Sequence, residues 1–214
     1  MITIEEHITH NLYAFYKRVA EKCRYEIGHI AGCEYVWNRK GSWPSYFLGA
    51  PDPGKIYEYV NAKVKGNAPS FWILGKEHGE EIRLLEKTGL RVVREWKGMA
   101  LKGGGPGPEL TKTGNSKVRI HANEPGTYGD WLGIVNNSLI TGAQIGSEFI
   151  SALSMDPSFR WIVAYVDNQP VGTGLSFSEN GVCGLYMIAT EDTYRKQGIG
   201  TQVTGALVKL CLLY

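Results

Sequence analysis

Apolar side chains at Ile4, Ile8, Leu12, Phe15, Tyr16 and Val19 recur at helical spacing, so the chain is predicted to open with an amphipathic helix. His7 and His10 stand three apart on it, a spacing that could join two metal ligands, but Glu5, Glu6 and Thr9 around them read as a solvated face. Strand-like runs follow at Tyr35-Val36-Trp37 and, after Trp43-Pro44, at Tyr46-Phe47-Leu48. Ile56, Val60 and Val64 space out a second helix, and Phe71-Trp72-Ile73-Leu74 reads as a short buried strand. A helix from Glu80 to Lys87 is stopped by Gly89, and a strand is expected from Leu90 to Leu101 with Val92 and Val93 inside. This alternation, α-β-α-β-α-β, predicts a small α/β layer.

The second half has a different order. A strand from Lys117 to His121 precedes one helix built on Trp131, Ile134, Val135 and Leu139, and another on Ile145, Phe149, Ala152 and Leu153. Strand 159–166 turns at Asp167-Asn168-Gln169-Pro170 into strand 171–177, a hairpin signal. Glu179-Asn180-Gly181 makes a second tight turn into strand 182–189. A polar loop then leads to a helix over 198–213 with Ile199, Val203, Ala206, Leu207 and Leu210 on its apolar face.

Between the halves, Gly103-Gly104-Gly105-Pro106-Gly107-Pro108 favours neither helix nor strand, since glycine adds backbone freedom and proline removes a donor. Residues 103–116 therefore read as a linker between units 1–102 and 117–214. A glycine-rich run can also hold phosphate, but prolines interrupt this one and Glu109 follows. The 214 residues allow one domain or two, and the linker argues for two. Charge divides the same way: residues 1–102 carry 16 Lys+Arg against 12 Asp+Glu, and the remainder 7 against 9. That excess is too diffuse for a nucleic-acid footprint. No window approaches the ~18 apolar residues of a membrane span, and glutamates occupy the place of a basic leader. The four cysteines, Cys23, Cys33, Cys183 and Cys211, are scattered, so reduced thiols in a cytoplasmic protein are expected.

The chemistry is concentrated at one place. Strand Leu185-Tyr186-Met187-Ile188-Ala189-Thr190 runs into Arg195-Lys196-Gln197-Gly198-Ile199-Gly200-Thr201, a loop that is basic, then glycine-rich, then helical. Backbone N–H groups and the positive end of a helix dipole would converge there on an anion. Glycines at 198 and 200 let phosphate oxygens approach the backbone, with Arg195 and Lys196 supplying charge. A Walker loop would need Gly-Lys-Ser/Thr and a Rossmann loop three glycines, and neither occurs.

These residues carry a resemblance. Arg195-Lys196-Gln197-Gly198-Ile199-Gly200 matches the (Arg/Gln)-x-x-Gly-x-(Gly/Ala) signature of the GNAT acyltransferase superfamily. Val182 to Thr190 and the helix after it resemble that family's fourth strand and third helix, over about residues 117–214. The resemblance implies a GNAT-like fold: a mixed, largely antiparallel sheet flanked by helices (α/β, or α+β in some schemes), beside a smaller N-terminal α/β half. It implies transfer of an acetyl or other acyl group from acetyl-CoA directly to an amine, with no metal. Ile188, Ala189 and Thr190 would pair with the pantetheine arm, and the amides of Arg195, Lys196, Gln197, Gly198, Ile199, Gly200 and Thr201 would hold the pyrophosphate. A fourth-strand N–H would polarise the thioester carbonyl.

Two departures stand beside it. Many relatives have a Glu or Asp on the fourth strand, whereas this strand offers Cys183 and Tyr186. Tyr186 could relay a proton through water or simply pack on a helix. Glu179 and Glu191 read as solvated turn residues, and Cys183 as a buried thiol. The family fold also continues after its third helix with closing elements, whereas this sequence ends at Tyr214. Residues 70–101 resemble the closing half of that fold, as in the degenerate N-terminal half of two-part members. This half is expected either to stand in for the closing elements or to form a separate lobe. An apolar helix end and an unpaired sheet edge favour association into a homodimer. The alternatives to an acyltransferase are a CoA-binding module without catalysis and a binder of nucleotide or other phosphate. The acceptor amine is not identified by the sequence.

Overall fold

The computed structural model describes residues 2–30, 32–39, 43–55, 58, 70–73, 78–101, 117–140 and 144–212. The chain divides into two compact units, Met1–Ala100 and Leu101–Tyr214. The segment read as a linker, 103–116, the helix expected on Ile56, Val60 and Val64, and the last two residues lie outside the described residues.

The N-terminal unit opens with α1, Ile4–Cys23. Thr3 and Glu6 close a reciprocal capping box, and Arg24 ends the helix in the left-handed region at φ 56°. Phe15, Tyr16, Val19 and Ala20 are buried. Ile4, expected on that face, is 62% exposed, because the first turn carries the cap and two glutamates and stays in water. β1 (Glu26–Ile30), β2 (Cys33–Trp37) and β3 (Ser45–Leu48) form an antiparallel meander, and β4 (Phe71–Trp72) joins β3 in parallel. Sequence periodicity misses β1, whose centre is Gly28. That glycine is required by packing, since a Cβ there would meet the Tyr35 hydroxyl at 2.6 Å. Phe47, Val36 and Trp37 are buried at the sheet, and the Cys33 thiol is pushed up to about 11 by burial and by the charge of Glu34.

Helix α2 spans Gly79–Lys87, and Gly89 follows at φ 93°. The strand expected over 90–101 is not formed. Those residues have no regular structure, and Val92, Val93, Trp96, Met99 and Leu101 are exposed rather than inside. Apolar side chains make a strand only where a neighbour supplies a ladder. The edge on this side is β4, two residues long, too short to seat such a run. Among the described residues this unit therefore holds a four-stranded, mostly antiparallel sheet with α1 packed on β1 and β2, followed by α2, and of the expected alternation the closing strand is missing.

The C-terminal unit keeps closer to expectation. β5 (Arg119–Ala122), α3 (Tyr128–Ser138), α4 (Glu148–Ser154), β6 (Phe159–Val166), β7 (Gln169–Glu179), β8 (Val182–Thr190) and α5 (Ile199–Leu212) follow in order. The sheet is antiparallel throughout in the order β5-β6-β7-β8. Both hairpins turn on paired left-handed residues, Asp167 (φ 48°) with Asn168 (φ 66°) and Asn180 (φ 50°) with Gly181 (φ 75°). Such turns match the strand twist, which explains two-residue connections at both ends of β7. On one face Ile162, Ala164, Val166 and Val171 bury Ile199, Val203 and Leu207 of α5. On the other lie Trp131 of α3 and Phe149 of α4, with their rings stacked, and the Phe159–Phe177 pair from the strands.

Two cysteines expected as thiols are joined. Cys183 and Cys211 form a disulfide, whereas Cys23 and Cys33 are not disulfide-bonded. They lie far apart in sequence, but β8 runs toward the loop and α5 returns beside it, so the start of one meets the end of the other. No described helix is long and apolar enough to cross a membrane.

Candidate cofactor cradle

β8 reaches the loop through a bulge. Thr173 pairs with Ala189 and Leu175 with Tyr186, so Met187 and Ile188 together oppose Gly174, with Met187 at φ 52°. The extra residue resets the alternation: Leu185 and Ile188 both reach the α5-side core. Beyond it Ala189 is buried, and Thr190 is half-buried.

The loop is fastened from several sides. The Glu191 amide donates to the Val171 carbonyl at 3.0 Å, and Tyr194 packs on the core beneath α5. Arg195 donates through Nε to the Thr190 carbonyl at 3.3 Å and pairs with Asp192 at 2.7 Å. Its charge therefore braces the loop as well as facing solvent. Gln197 donates to the Thr193 carbonyl at 3.1 Å. Lys196 and Gly198 take left-handed conformations at φ 61° and 78°. Glycine adopts that region without a steric penalty, whereas for lysine it costs about 1–2 kcal/mol that the surrounding contacts must offset.

Helix α5 starts where the loop ends. Its first hydrogen bond of i→i−4 type runs from the Gln202 amide to the Gly198 carbonyl at 3.1 Å. The N–H groups of Ile199, Gly200 and Thr201 precede that bond and have no carbonyl acceptor within the helix. Gly200 is not needed for packing: an added Cβ would come no nearer than 3.6 Å to Thr190 Oγ1, an ordinary contact. Nor does its φ fall among the left-handed glycines. Its missing side chain leaves room above the first turn instead. A diphosphate fits this donor set, with N–H groups below and Lys196 exposed at the rim.

The expected residues are thus contiguous in space, though they contribute differently. Ile199 is 1% exposed and Ile188 packs on the same core, so each offers only its backbone. Two residues not singled out in the sequence matter as much. Gly172 and Gly174 face α5 from β7; a Cβ on Gly172 would meet Ile199 at 2.8 Å, and one on Gly174 would meet Leu207 at 2.5 Å. The Gly174 carbonyl also accepts from Trp131 Nε1 at 3.3 Å. Their signal was legible as two glycines at strand period, one face of β7 stripped bare for a helix.

Tyr186, the candidate proton carrier, pairs across the ladder with Leu175 on the face opposite α5. Burial alone pushes its phenol well above its usual range. Cys183 is committed to the disulfide and cannot act as a nucleophile. Glu179 and Glu191 are half-buried and flank β8 without lying on it. No cluster of three potential metal ligands occurs among the described residues.

The family model of the GNAT acetyltransferases matches residues 139–213, from the end of α3 through α5. That segment is similar to the GNAT acetyltransferases. Solved structures similar to it include an acetyltransferase candidate from Pyrococcus horikoshii, at 22% identity, covering 45% of this chain and 35% of that one with a TM-score of 0.40. An aminoglycoside acetyltransferase from an uncultured soil metagenome is 18% identical over 45% of this chain and 71% of its own, with a TM-score of 0.40. A GNAT-family acetyltransferase from Staphylococcus aureus is 14% identical over 44% and 65%, with a TM-score of 0.38. This chain thus spans about a third of the first and about two thirds of the other two. No curated protein matches. Within the matched segment lies the loop between β8 and α5 described above.

Proposed function

We propose that the C-terminal unit binds acetyl-CoA on this cradle and transfers the acetyl group directly to an amine. One observation carries the reading: the unpaired N–H groups of Ile199, Gly200 and Thr201 open onto space that Gly200 leaves clear, beside Arg195 and Lys196. The pyrophosphate lies on Arg195 to Thr201, and the pantetheine arm follows Ile188, Ala189 and Thr190. In the reaction the amine nitrogen forms a bond to the thioester carbonyl carbon and the C–S bond breaks. The nitrogen loses a proton and the departing thiolate gains one. A β8 N–H at the bulge polarises the carbonyl. Tyr186, held neutral, acts as donor toward the thiolate through water, not as the base.

The N-terminal unit is proposed as a degenerate half of the same kind. Its antiparallel β1-β2-β3 followed by parallel β4 repeats the helix-then-three-strand order of α4-β6-β7-β8 and extends it by one strand. It lacks the glycine signature and is assigned no cofactor.

The test is thermal stabilisation by acetyl-CoA compared with ATP, followed by amine-dependent thiol release across a panel of acceptors. Acetyl-CoA is expected to raise Tm, and ATP to raise it less. Gly198→Glu is expected to abolish the shift, because it strains a left-handed position and sets a carboxylate against the pyrophosphate. An equal shift with ATP would favour a general phosphate binder. The second reading, a CoA-binding module, is favoured by the lack of any carboxylate on β8. Bound acetyl-CoA with no thiol release for any amine would establish it. A cytoplasmic location, proposed from the sequence, would set the Cys183–Cys211 disulfide in a reducing milieu.

A further inference from the structure

Residues 92–100 end the N-terminal unit as a run with no regular structure. None of them is proline and none takes a positive φ. The last backbone bond before the run, among the described residues, joins the Leu90 amide to the Leu85 carbonyl at 3.3 Å, and none follows within it. Its even-numbered residues lie toward the unit. The Trp96 ring stands 6.3 Å from that of Trp72, the Arg94 guanidinium lies 6.0 Å from the Trp96 centroid, and a Cβ on Gly98 would come to 3.3 Å from Ile8 of α1. Val93 is 78% exposed and Met99 90%. Between them stand Glu95 and Lys97, exposed and in no ion pair among the described residues. An apolar, proline-free run whose backbone groups belong to no ladder is a template for another strand.

We propose that two copies of the chain associate by antiparallel pairing of residues 92–100 about a two-fold axis at Trp96. The charge pattern selects both the partner and the register. Paired residues share a face of the ladder, so two-fold symmetry sets one residue opposite its own copy, with its neighbours pairing at equal distances on either side. Centred on Trp96, Glu95 faces the partner's Lys97 and Lys97 the partner's Glu95, while Val93 and Met99 face each other in the same way. On the other face Val92 meets the partner's Ala100, and Gly98 leaves room opposite Arg94. Opposite charges and apolar groups are thus matched across the strands, the arrangement that stabilises a pair. A centre at Arg94, Glu95 or Lys97 would put like charges together at the axis. A centre at Val93 would drive the ladder into Gly89, held at φ 93° and bonded to the Glu86 carbonyl after α2. A centre at Gly98 would match no opposite charges within the run. This interface is independent of the acyl-transfer reading.

The full-length protein is followed by sedimentation equilibrium and by amide hydrogen exchange from about 1 μM to about 1 mM, where weak symmetric pairs form. A dimer is expected, with exchange in 92–100 slowing as it forms. Glu95→Lys and Lys97→Glu are each expected to raise the dimer Kd about tenfold or more, since each turns two opposite-charge pairs into like-charge ones. The double variant E95K/K97E reverses both signs and should return Kd to within about threefold of the parent's. Both positions are exposed, where substitutions usually leave folding intact, and the exchange measurement needs no variant. A chain monomeric throughout this range would overturn the proposal. So would a dimer whose 92–100 amides exchange as fast as the monomer's, single variants that dimerise like the parent, or a double variant no tighter than the singles. Protection of those amides already in the monomer would also overturn it, and would assign the run to a strand of its own chain.

Discussion

Tyr186 faces Leu175 across the β7–β8 ladder, where burial keeps its phenol protonated well past neutral pH. A residue in that state can give a proton and cannot take one. Tyr186→Phe is therefore expected to lower kcat about a hundredfold, the low end of about 10²–10⁴ for general acid–base groups. The acetyl-CoA Kd and the shape of the pH profile between about pH 6 and pH 9 should not change, because no group titrating in that range is removed. An unchanged kcat would return Tyr186 to a packing role. The other decisive residues act through their backbones. Gly198 sits where φ is positive, and Gly200 matters for the side chain it lacks. In the sequence these two glycines look alike, and only φ and the distance to Thr190 separate conformational need from ligand space.

α5 is placed by two glycines on β7. Because Gly172 and Gly174 carry no side chain, the helix lies close enough for Ile199, Val203 and Leu207 to fill the sheet surface, and its first turn comes level with the end of β8. Gly174→Ala is expected to cost about 1–3 kcal/mol, the usual range for overpacking a filled core, since a Cβ there would stand 2.5 Å from Leu207. Denaturant melts should show a lower midpoint with an unchanged slope, and acetyl-CoA should stabilise the variant less than the parent. A variant as stable as the parent would mean that α5 moves aside freely. Element boundaries in this unit were legible because β6, β7 and β8 are largely apolar runs separated by Asp167-Asn168 and Asn180-Gly181, residues that suit tight turns. The bulge at Met187 was not, since an extra residue in a strand leaves no mark on composition. The strand expected at 90–101 failed for the converse reason: Val92 and Val93 have the right side chains and no ladder of sufficient length.

At the scale of the molecule, each of the two contact units buries side chains of its own, among them Phe15, Val36 and Phe47 in the first and Ile162, Val203 and Leu207 in the second. A protease cut within 103–116 is expected to leave both fragments folded, with acetyl-CoA raising the Tm of the C-terminal fragment alone. Loss of that shift on cutting would mean that the cradle depends on the N-terminal unit. The sequence by itself determined the order of elements after residue 117, and it is the source of the proposed division at 103–116 and of the proposed cradle segment from Ile188 to Thr201. These rest on local signals: periodicity, turn residues and a glycine signature are properties of neighbours in the chain. Only the tertiary structure decided that Cys183 and Cys211 meet, that Gly172 and Gly174 seat α5, that Tyr186 is half-buried on the sheet face opposite α5 and that residues 90–101 form no strand. Each of these depends on what a residue meets from elsewhere in the chain, and that is fixed by packing rather than by spacing along the sequence.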